Sequence, residues 1–236
     1  MDSIPDPKPN PALIRAGIEA VHPAGGLIEV RILKVRKSNP LKWFGQTFNG
    51  FYDDLDALVR DVARVDGRTA PGVYMTFNEL DPIVRNWGLN RLASSVKAAE
   101  DANVTRLRYM FLDLDPERPT FTNATEAEHA AAMQRLETIR AELRSEGWPE
   151  PVLAGSSGSG AMALYRVDLP PSESGLIEAT LKALAARYDD DRVTVDTGVH
   201  NPARICRIPG TINAKSPTPQ PDRPWSMATA KAVTNE

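Results

Sequence analysis

The chain has 236 residues, of which 42% are hydrophobic and 25% are charged, a composition typical of soluble globular proteins. This length suits one large domain or one domain with two lobes, and the formal net charge of −3 means that any contact with nucleic acid depends on local basic clusters. Cys206 is the single cysteine, which excludes a disulfide framework and a cysteine-rich zinc site and fits a reducing, cytoplasmic compartment. No apolar run reaches the about 18 residues of a membrane span, so we expect no membrane contact.

The first hundred residues predict two helices and three strands after a disordered lead-in at residues 1–10. A short helix is expected over residues 11–21, with Leu13, Ile14 and Ile18 on one face. A second begins at Asp53 and Asp54 and runs to about residue 65. The strands are expected at residues 27–35, 43–52 and 72–77. The aromatic residues of the second strand are expected mostly in the core, and residues 81–92 have the composition of a loop with a basic edge.

The remainder predicts further strands at residues 108–115, 151–154, 161–168, 193–195 and 203–208, with a last one near residues 225–228. A helix over residues 125–145 has the capping-box residues Thr125 and Glu128 at its start. Another covers residues 172–188, and its expected buried stripe comprises Leu176, Ile177, Leu181 and Leu184. Because strands often follow one another directly, we expect an α+β fold with a mixed or antiparallel sheet.

Two carboxylates close the apolar segment at residues 108–115. Asp113 and Asp115 are one residue apart, so a strand turns them to the same face while Leu114 points to the other. Pro116 cannot donate a backbone hydrogen bond, so we expect the strand to end there, with the acids at its rim. Two like charges held side by side are costly unless a cation joins them. The pair therefore predicts a divalent-metal site that holds a phosphate.

Two more features lie at predicted strand ends. The turn at residues 155–160 contains only glycine and serine, whose backbone N–H groups and hydroxyls can approach phosphate oxygens closely. Asp196 ends a short strand and is followed by basic residues as far as Lys215. Two metals about 3.5–4 Å apart need bridging and flanking carboxylates, which three aspartates supply, and Mg²⁺ prefers oxygen ligands and substrate phosphates.

Each feature also has a purely structural interpretation. The acid pair can be a solvated rim, the glycine–serine turn a hairpin connection, and Asp196 a turn residue. The histidines show no metal-ligand spacing and are expected at the surface or in loops: His22, His129 and His200. Cys206, in an apolar segment, is expected to be a buried thiol.

The motifs in order resemble the archaeo-eukaryotic primase superfamily, and within it the primase-polymerase domains of phage and plasmid replication proteins. They are Leu-Asp-Leu-Asp-Pro-Glu-Arg-Pro at residues 112–119, Ser-Gly-Ser-Gly-Ala-Met at 157–162, and Val-Asp at 195–196 with Asn-Pro-Ala-Arg and Pro-Gly-Thr after it. The resemblance implies a catalytic lobe related to RNA-recognition modules beside a second α/β lobe. We expect the N-terminal lobe at about 11–100, the catalytic lobe at about 101–215 and a tail at 216–236.

The resemblance also implies template-directed nucleotidyl transfer, as in a DNA primase or DNA polymerase. Asp113, Asp115 and Asp196 would hold two Mg²⁺ or Mn²⁺ ions, one for the 3′-hydroxyl and one for the incoming triphosphate. The expected phosphate contacts are Ser157, Ser159, Arg207 and Lys215. The implied partners are a DNA template or primer, an NTP or dNTP, and a helicase domain or protein.

The chain departs from the family pattern at Met162, where the family has a histidine that contacts the nucleotide phosphates. A thioether carries no charge and donates no hydrogen bond, and losing a donor to developing phosphate charge can cost about 2.7–4 kcal/mol. Three accounts are open: an engineered substitution, which the intact acids favour, a natural variant that retains activity, or a natural member that only binds.

Two rival functions stay open at this point. The chain could be a nucleotide- or DNA-binding replication module without catalysis. More remotely, residues 111–115 could be the nucleophile motif of a haloacid-dehalogenase-like phosphatase. That motif wants Thr or Val where this chain has Glu117, so we expect this alternative to fail.

Overall fold

The structure is a computed structural model, and it describes residues 6–23, 26–36 and 45–233. These residues form four α-helices: α1 (Pro11–Val21), α2 (Leu55–Val62), α3 (Glu126–Ser145) and α4 (Ser174–Tyr188). The expected capping box is present in α3, where the Thr125 hydroxyl accepts from the Glu128 N–H and the Glu128 carboxylate accepts from the Thr125 N–H. Asp54 caps α2 in the same way by accepting from the Ala57 N–H.

The strands of the described residues follow in chain order: β1 (Ile28–Val35), β2 (Gln46–Tyr52), β3 (Gly72–Thr76), β4 (Glu79–Leu80), β5 (Val104–Pro116), β6 (Leu153–Ser156), β7 (Ala161–Leu169), β8 (Val193–Val195), β9 (Ile205–Arg207), β10 (Ile212–Asn213), β11 (Ser226–Met227) and β12 (Lys231–Ala232). One sheet has the order β2-β1-β3-β9, and a larger one has β12-β6-β7-β5-β4 with β8 also paired to β5. All pairings between these strands are antiparallel. The expected α+β class with an antiparallel sheet is confirmed.

The central strand of the larger sheet is β5, which has apolar neighbours on both sides. Leu112 and Leu114 are fully buried, and α3 covers the sheet with Leu136 and Ile139, which are also fully buried. The same hydrophobic core continues to Met75 of β3 in the smaller sheet. The two sheets therefore share one core, and the rim of β5 lies beside β9 of the other sheet.

Sequence order does not follow sheet membership. β9 comes from the segment expected in the catalytic lobe, yet it pairs with β3, with Cys206 opposite Met75. β12 comes from the expected tail and forms the edge of the larger sheet next to β6. The division into two lobes near residue 100 therefore stays a prediction.

Several local expectations need correction. Leu176 is 55% exposed, because the buried face of α4 consists of Ile177, Leu181, Leu184 and Tyr188, and Leu176 lies about 100° away from Ile177. The expected loop at residues 81–92 begins with a 3₁₀ helix (Pro82–Trp87). The lead-in is held from residue 6 onward, since Asp6 accepts from Arg68 and the Asn10 N–H donates to Gly210. The last expected strand is β11, paired with β10, and Trp43 and Phe44 lie outside the described residues.

Candidate active site

Antiparallel pairing brings the three predicted acids to one cavity. Asp113 and Asp115 extend from the same face of β5, while Leu114 between them is buried in the core. Strand β8 pairs with the end of β5, and the Asp196 N–H donates to the Asp113 carbonyl at 2.9 Å. The carboxylates of Asp113, Asp115 and Asp196 line a cavity of about 320 Å³. Pro116 is the last residue of β5 and still pairs with Val193, so the strand runs one residue further than expected.

The cavity concentrates negative charge at Asp113. Burial, followed by the nearby charge of Asp115, raises the pKa of Asp113 to about 7. Lys215 acts in the other direction, and Asp196 and Arg204 make smaller raising and lowering contributions. Burial also lowers the pKa of Lys215, although the charge of Asp115 acts in the other direction. The acids thus lie in a setting that disfavours two neighbouring negative charges and favours a cation.

Basic side chains form ion pairs with two of the three carboxylates. The Lys215 Nζ lies 3.8 Å from Asp115 Oδ1, and Arg118 donates to the same oxygen at 3.1 Å. Arg204 lies 3.5 Å from Asp196 Oδ2. Throughout the described residues, no three His, Cys, Asp or Glu side chains stand close enough together to form a ready metal-binding group. The oxygen donors suit Mg²⁺ or Mn²⁺, but a metal would have to replace these basic partners.

The glycine–serine turn between β6 and β7 forms one wall of the cavity. The Ser157 N–H donates to the Gly160 carbonyl at 3.0 Å, and the Ser157 residue lines the cavity. Gly158 has φ +101°, and a Cβ there would lie 2.5 Å from the Cβ of Asn213, so the turn requires glycine. The turn therefore presents Ser157 to the acids in a fixed geometry.

Ser159 lies apart from the predicted phosphate contacts. Its side chain is buried, and its hydroxyl accepts from Asn123 Nδ2 and from the Ala124 N–H, both at 3.3 Å. These bonds join the turn to the segment before α3. Ser159 supports the wall of the cavity, whereas Ser157 lines it.

The prediction for His129 was wrong. This residue lies in α3, half-buried, with Nε2 2.7 Å from the hydroxyl of Ser156. The same hydroxyl accepts from the Gly158 N–H at 2.9 Å. Burial lowers the pKa of His129, so the neutral ring can hold the turn through Ser156. No local pattern in the sequence indicates this contact, because the two residues are 27 positions apart in the chain.

Met162 lies beside the acids. It pairs with Asp113 across β5 and β7, is 1% exposed, and lines the cavity. The position at which the resembled family carries a phosphate-contacting histidine is thus in the site, although its thioether cannot donate a hydrogen bond.

The two predicted basic residues differ in their surroundings. Arg207 is buried on β9, where it donates to the Tyr74 hydroxyl at 2.7 Å and to the Ile212 carbonyl at 3.2 Å. Its guanidinium also lies 4.7 Å from the centre of the Tyr74 ring. Within the described residues, the Lys215 ammonium has one ion pair, the 3.8 Å contact with Asp115, and no side-chain hydrogen bond. Of the two basic side chains it is therefore the more available to a ligand.

Among the residues that line the cavity, three with hydrogen-bonding side chains were not predicted as site residues from the sequence: Tyr74, Arg204 and Asn213. Arg204 belongs to the Asn-Pro-Ala-Arg motif, which could have identified it. Tyr74 and Asn213 gave no signal, because β3 and β10 reach the cavity only through tertiary packing. Cys206 also lines the cavity and is buried as expected, and burial together with the charge of Asp113 raises the pKa of its thiol.

Comparison with known proteins gives one loose relationship. No family model and no curated protein matches the chain. Among solved structures, the chain is similar to the polymerase domain of Ligase D from Mycobacterium tuberculosis, determined in complex with DNA. The similarity covers 92% of this chain and 78% of that one, with 13% sequence identity and a TM-score of 0.43. Separately, none of the helices in the described residues has the length and apolar character needed to cross a bilayer.

Proposed function

We propose that the chain is a template-directed nucleotidyltransferase, a DNA primase or DNA polymerase domain that uses two divalent metals. The observation that carries this proposal is the convergence of Asp113, Asp115 and Asp196, from two paired strands, on one cavity that Ser157 and Lys215 also line. A carboxylate whose pKa is raised by burial and by two acidic neighbours, beside a hydroxyl and an ammonium, suits a metal-bound triphosphate.

The chain's own residues divide the work. Asp113, Asp115 and Asp196 would hold Mg²⁺ or Mn²⁺, which when bound would lower the pKa of a 3′-hydroxyl and neutralise phosphate charge. Lys215 and Arg204, now on the carboxylates, would turn to the phosphate oxygens once a metal takes their places. Ser157, fixed by its turn, would donate to the same phosphates, and Arg207 would hold Tyr74 in place.

The order of strands supports a closer assignment to the primase-polymerase domains of phage or plasmid replication proteins. The acid pair ends β5, the glycine–serine turn joins β6 to β7, and Asp196 follows β8, and all three features border one cavity. On this proposal the larger sheet is the catalytic one and the smaller sheet belongs to a second α/β lobe. A DNA template or primer, an NTP or dNTP and a helicase are the proposed partners, in the cytoplasm of a bacterial host.

One observation favours a second candidate, a nucleotide- or DNA-binding replication module without catalysis. Met162 occupies the position opposite Asp113 with a group that cannot donate to phosphate, while the acids are held by basic side chains. Such a site could bind a metal-bound triphosphate and transfer nothing.

A synthesis assay separates the two candidates. The chain and its Met162→His variant are given primed and unprimed single-stranded templates, nucleotides, and Mg²⁺ or Mn²⁺. Primer formation or extension by either protein, lost on Asp113→Asn with Asp115→Asn, supports nucleotidyl transfer. DNA binding by both proteins with no synthesis from either would favour the binding module.

A further inference from the structure

A second cavity of about 470 Å³ joins the acidic one. Four residues line both: Leu33, Tyr74, Asp115 and Lys215. The two spaces therefore meet at the end of β5, where a triphosphate would lie if the proposed function is right. The far wall of the second cavity is the segment at residues 116–122. A ligand whose phosphates contact Lys215 would extend its other end into this space.

The wall presents an aromatic ring. Phe121 is 65% exposed and has φ +61°, a backbone conformation that bulky side chains rarely adopt. Exposed aromatic area and left-handed backbone at the same residue are both unfavourable. Their occurrence together in the wall of a cavity beside the candidate site is the pattern expected of a ligand-binding residue.

The segment that carries Phe121 is tied to the acids. Arg118 donates to the Pro116 carbonyl at 3.0 Å, to the Thr122 carbonyl at 3.3 Å and to Asp115 Oδ1 at 3.1 Å. The Thr122 hydroxyl donates to the Pro119 carbonyl at 2.7 Å. Two of these three Arg118 bonds go to backbone carbonyls at the two ends of the segment, so they can persist when a metal replaces Arg118 on Asp115. They hold Phe121 at the end of β5, close to the expected position of the phosphates.

The charges around the second cavity are arranged for a flat neutral group attached to an anion. Lys34, Arg118 and Lys215 line it together with Tyr74. Two acids also line it: Asp115, which borders the acidic cavity as well, and Glu117. A nucleobase has a π-face that stacks on an aromatic side chain whatever its sequence identity. An aliphatic or peptide ligand would use neither this charge pattern nor the exposed ring.

We propose that Phe121 stacks on the nucleobase of the bound nucleoside triphosphate, whose phosphates contact Lys215 and Ser157. This inference rests on the proposed function and adds a base-binding subsite to it. The subsite would recognise any base by its face, which leaves the choice of base to the template.

Binding measurements with a base-free ligand test the inference. The affinities of dATP and of inorganic tripolyphosphate, each with Ca²⁺ in place of the reactive metal, are measured by calorimetry on the full chain and on Phe121→Ala, Phe121→Leu and Phe121→Trp. Leu176→Ala is the matched control, because Leu176 is also a large exposed apolar residue but lies on α4. Circular dichroism of each variant verifies that it is folded.

The expected result is that Phe121→Ala weakens dATP binding by about 5- to 150-fold, the range of one stacking contact, and leaves tripolyphosphate binding unchanged. Phe121→Leu should weaken dATP similarly and Phe121→Trp should preserve it, since the ring face is what counts. Leu176→Ala should change neither affinity.

Two outcomes would overturn the inference and leave the proposed function intact. One is dATP binding as tightly to Phe121→Ala as to the parent chain. The other is a loss, in that variant, of binding to a single-stranded oligonucleotide with dATP binding unchanged, which would assign Phe121 to the DNA strand. Failure of both dATP and tripolyphosphate to bind the parent chain would instead remove the proposed function and this inference with it.

Discussion

Met162 lies directly opposite Asp113 in the pairing of β5 with β7, and both residues line the acidic cavity. The strand register thus places an uncharged thioether beside the carboxylate whose pKa burial and its acidic neighbours raise to about 7. No donor from this position can offset the charge of an approaching phosphate. On the proposed function, this pair would limit the rate of nucleotidyl transfer.

Replacing Met162 with histidine should increase synthesis. An imidazole at this position can donate a hydrogen bond to phosphate charge that develops in the transition state, and such donors are worth roughly 100- to 1000-fold in rate. We expect Met162→His to extend a primer at least roughly tenfold faster than the parent chain. Met110→His is a control for nonspecific effects, because Met110 is also a buried methionine of the larger sheet but lies on β5 and does not line the cavity. Equal rates for the parent chain and Met162→His would contradict a catalytic role for the position.

Removing the acids should abolish metal-dependent triphosphate binding. In the double variant Asp113→Asn with Asp115→Asn, each side chain keeps its shape and can still form hydrogen bonds, but the charge that attracts a cation is removed. Calorimetry with Mn²⁺ and dATP should show no binding to this variant, while Asp191→Asn, an exposed acid outside the cavity, should bind as the parent chain does. Unchanged affinity in the double variant would remove these residues from the site.

Asp113→Asn alone should stabilise the folded protein when no metal is present. Ionised Asp113 is disfavoured by burial and by Asp115 and Asp196, so a neutral amide relieves a repulsion in the folded state. We expect Asp113→Asn to raise the free energy of unfolding by about 1–2 kcal/mol at pH 8 in chelator, as measured by urea denaturation. A loss of stability there would show that the carboxylate is satisfied by its present partners.

The alternation of residues predicted much of this site, because side-chain direction in a strand is a local property. Asp113 and Asp115 on one face and Leu114 in the core follow from the period of two, and the capping box located the start of α3. Tertiary pairing was beyond local reasoning. β9 leaves its neighbours in sequence to join β3 and thereby places Arg207 beside Tyr74.

Ser157 and Ser159 show that the roles of neighbouring single residues cannot be told apart from the sequence. Both lie in one glycine–serine turn, and the family resemblance implied the same role, phosphate contact, for both. The structure turns Ser157 to the cavity and Ser159 to Asn123, because Gly158 between them takes a positive φ that reverses the chain. Composition alone cannot tell which hydroxyl of such a turn faces a ligand.

Gly158 should tolerate no side chain. Alanine there would have to adopt φ near +101° and contact Asn213 at 2.5 Å, so we expect Gly158→Ala to lower the free energy of unfolding by about 1–3 kcal/mol and to weaken triphosphate binding through Ser157. Gly175→Ala is the control, since it lies in α4 with open space around it and should be neutral or slightly stabilising. Equal stability of the two variants would contradict the rigid turn.

His22 should make stability depend on pH. Burial lowers the pKa of His22 below 6.5, and its Nε2 lies 2.9 Å from the Thr76 carbonyl oxygen. The unfolded chain therefore binds more protons than the folded one as the pH falls below about 6.5, and stability is lost in that direction. We expect Tm to fall less between pH 7 and pH 5 in His22→Gln than in the parent chain. Identical pH profiles would contradict the buried neutral ring.

The most direct measurement is a crystal of the chain soaked with Mn²⁺ and a non-hydrolysable nucleoside triphosphate, with anomalous scattering used to locate the metal. We expect manganese between Asp113, Asp115 and Asp196, with Lys215 and Arg204 moved from the carboxylates to the phosphates. A triphosphate bound elsewhere, or an acidic cavity without metal in which Lys215 and Arg204 still contact Asp115 and Asp196, would contradict this expectation.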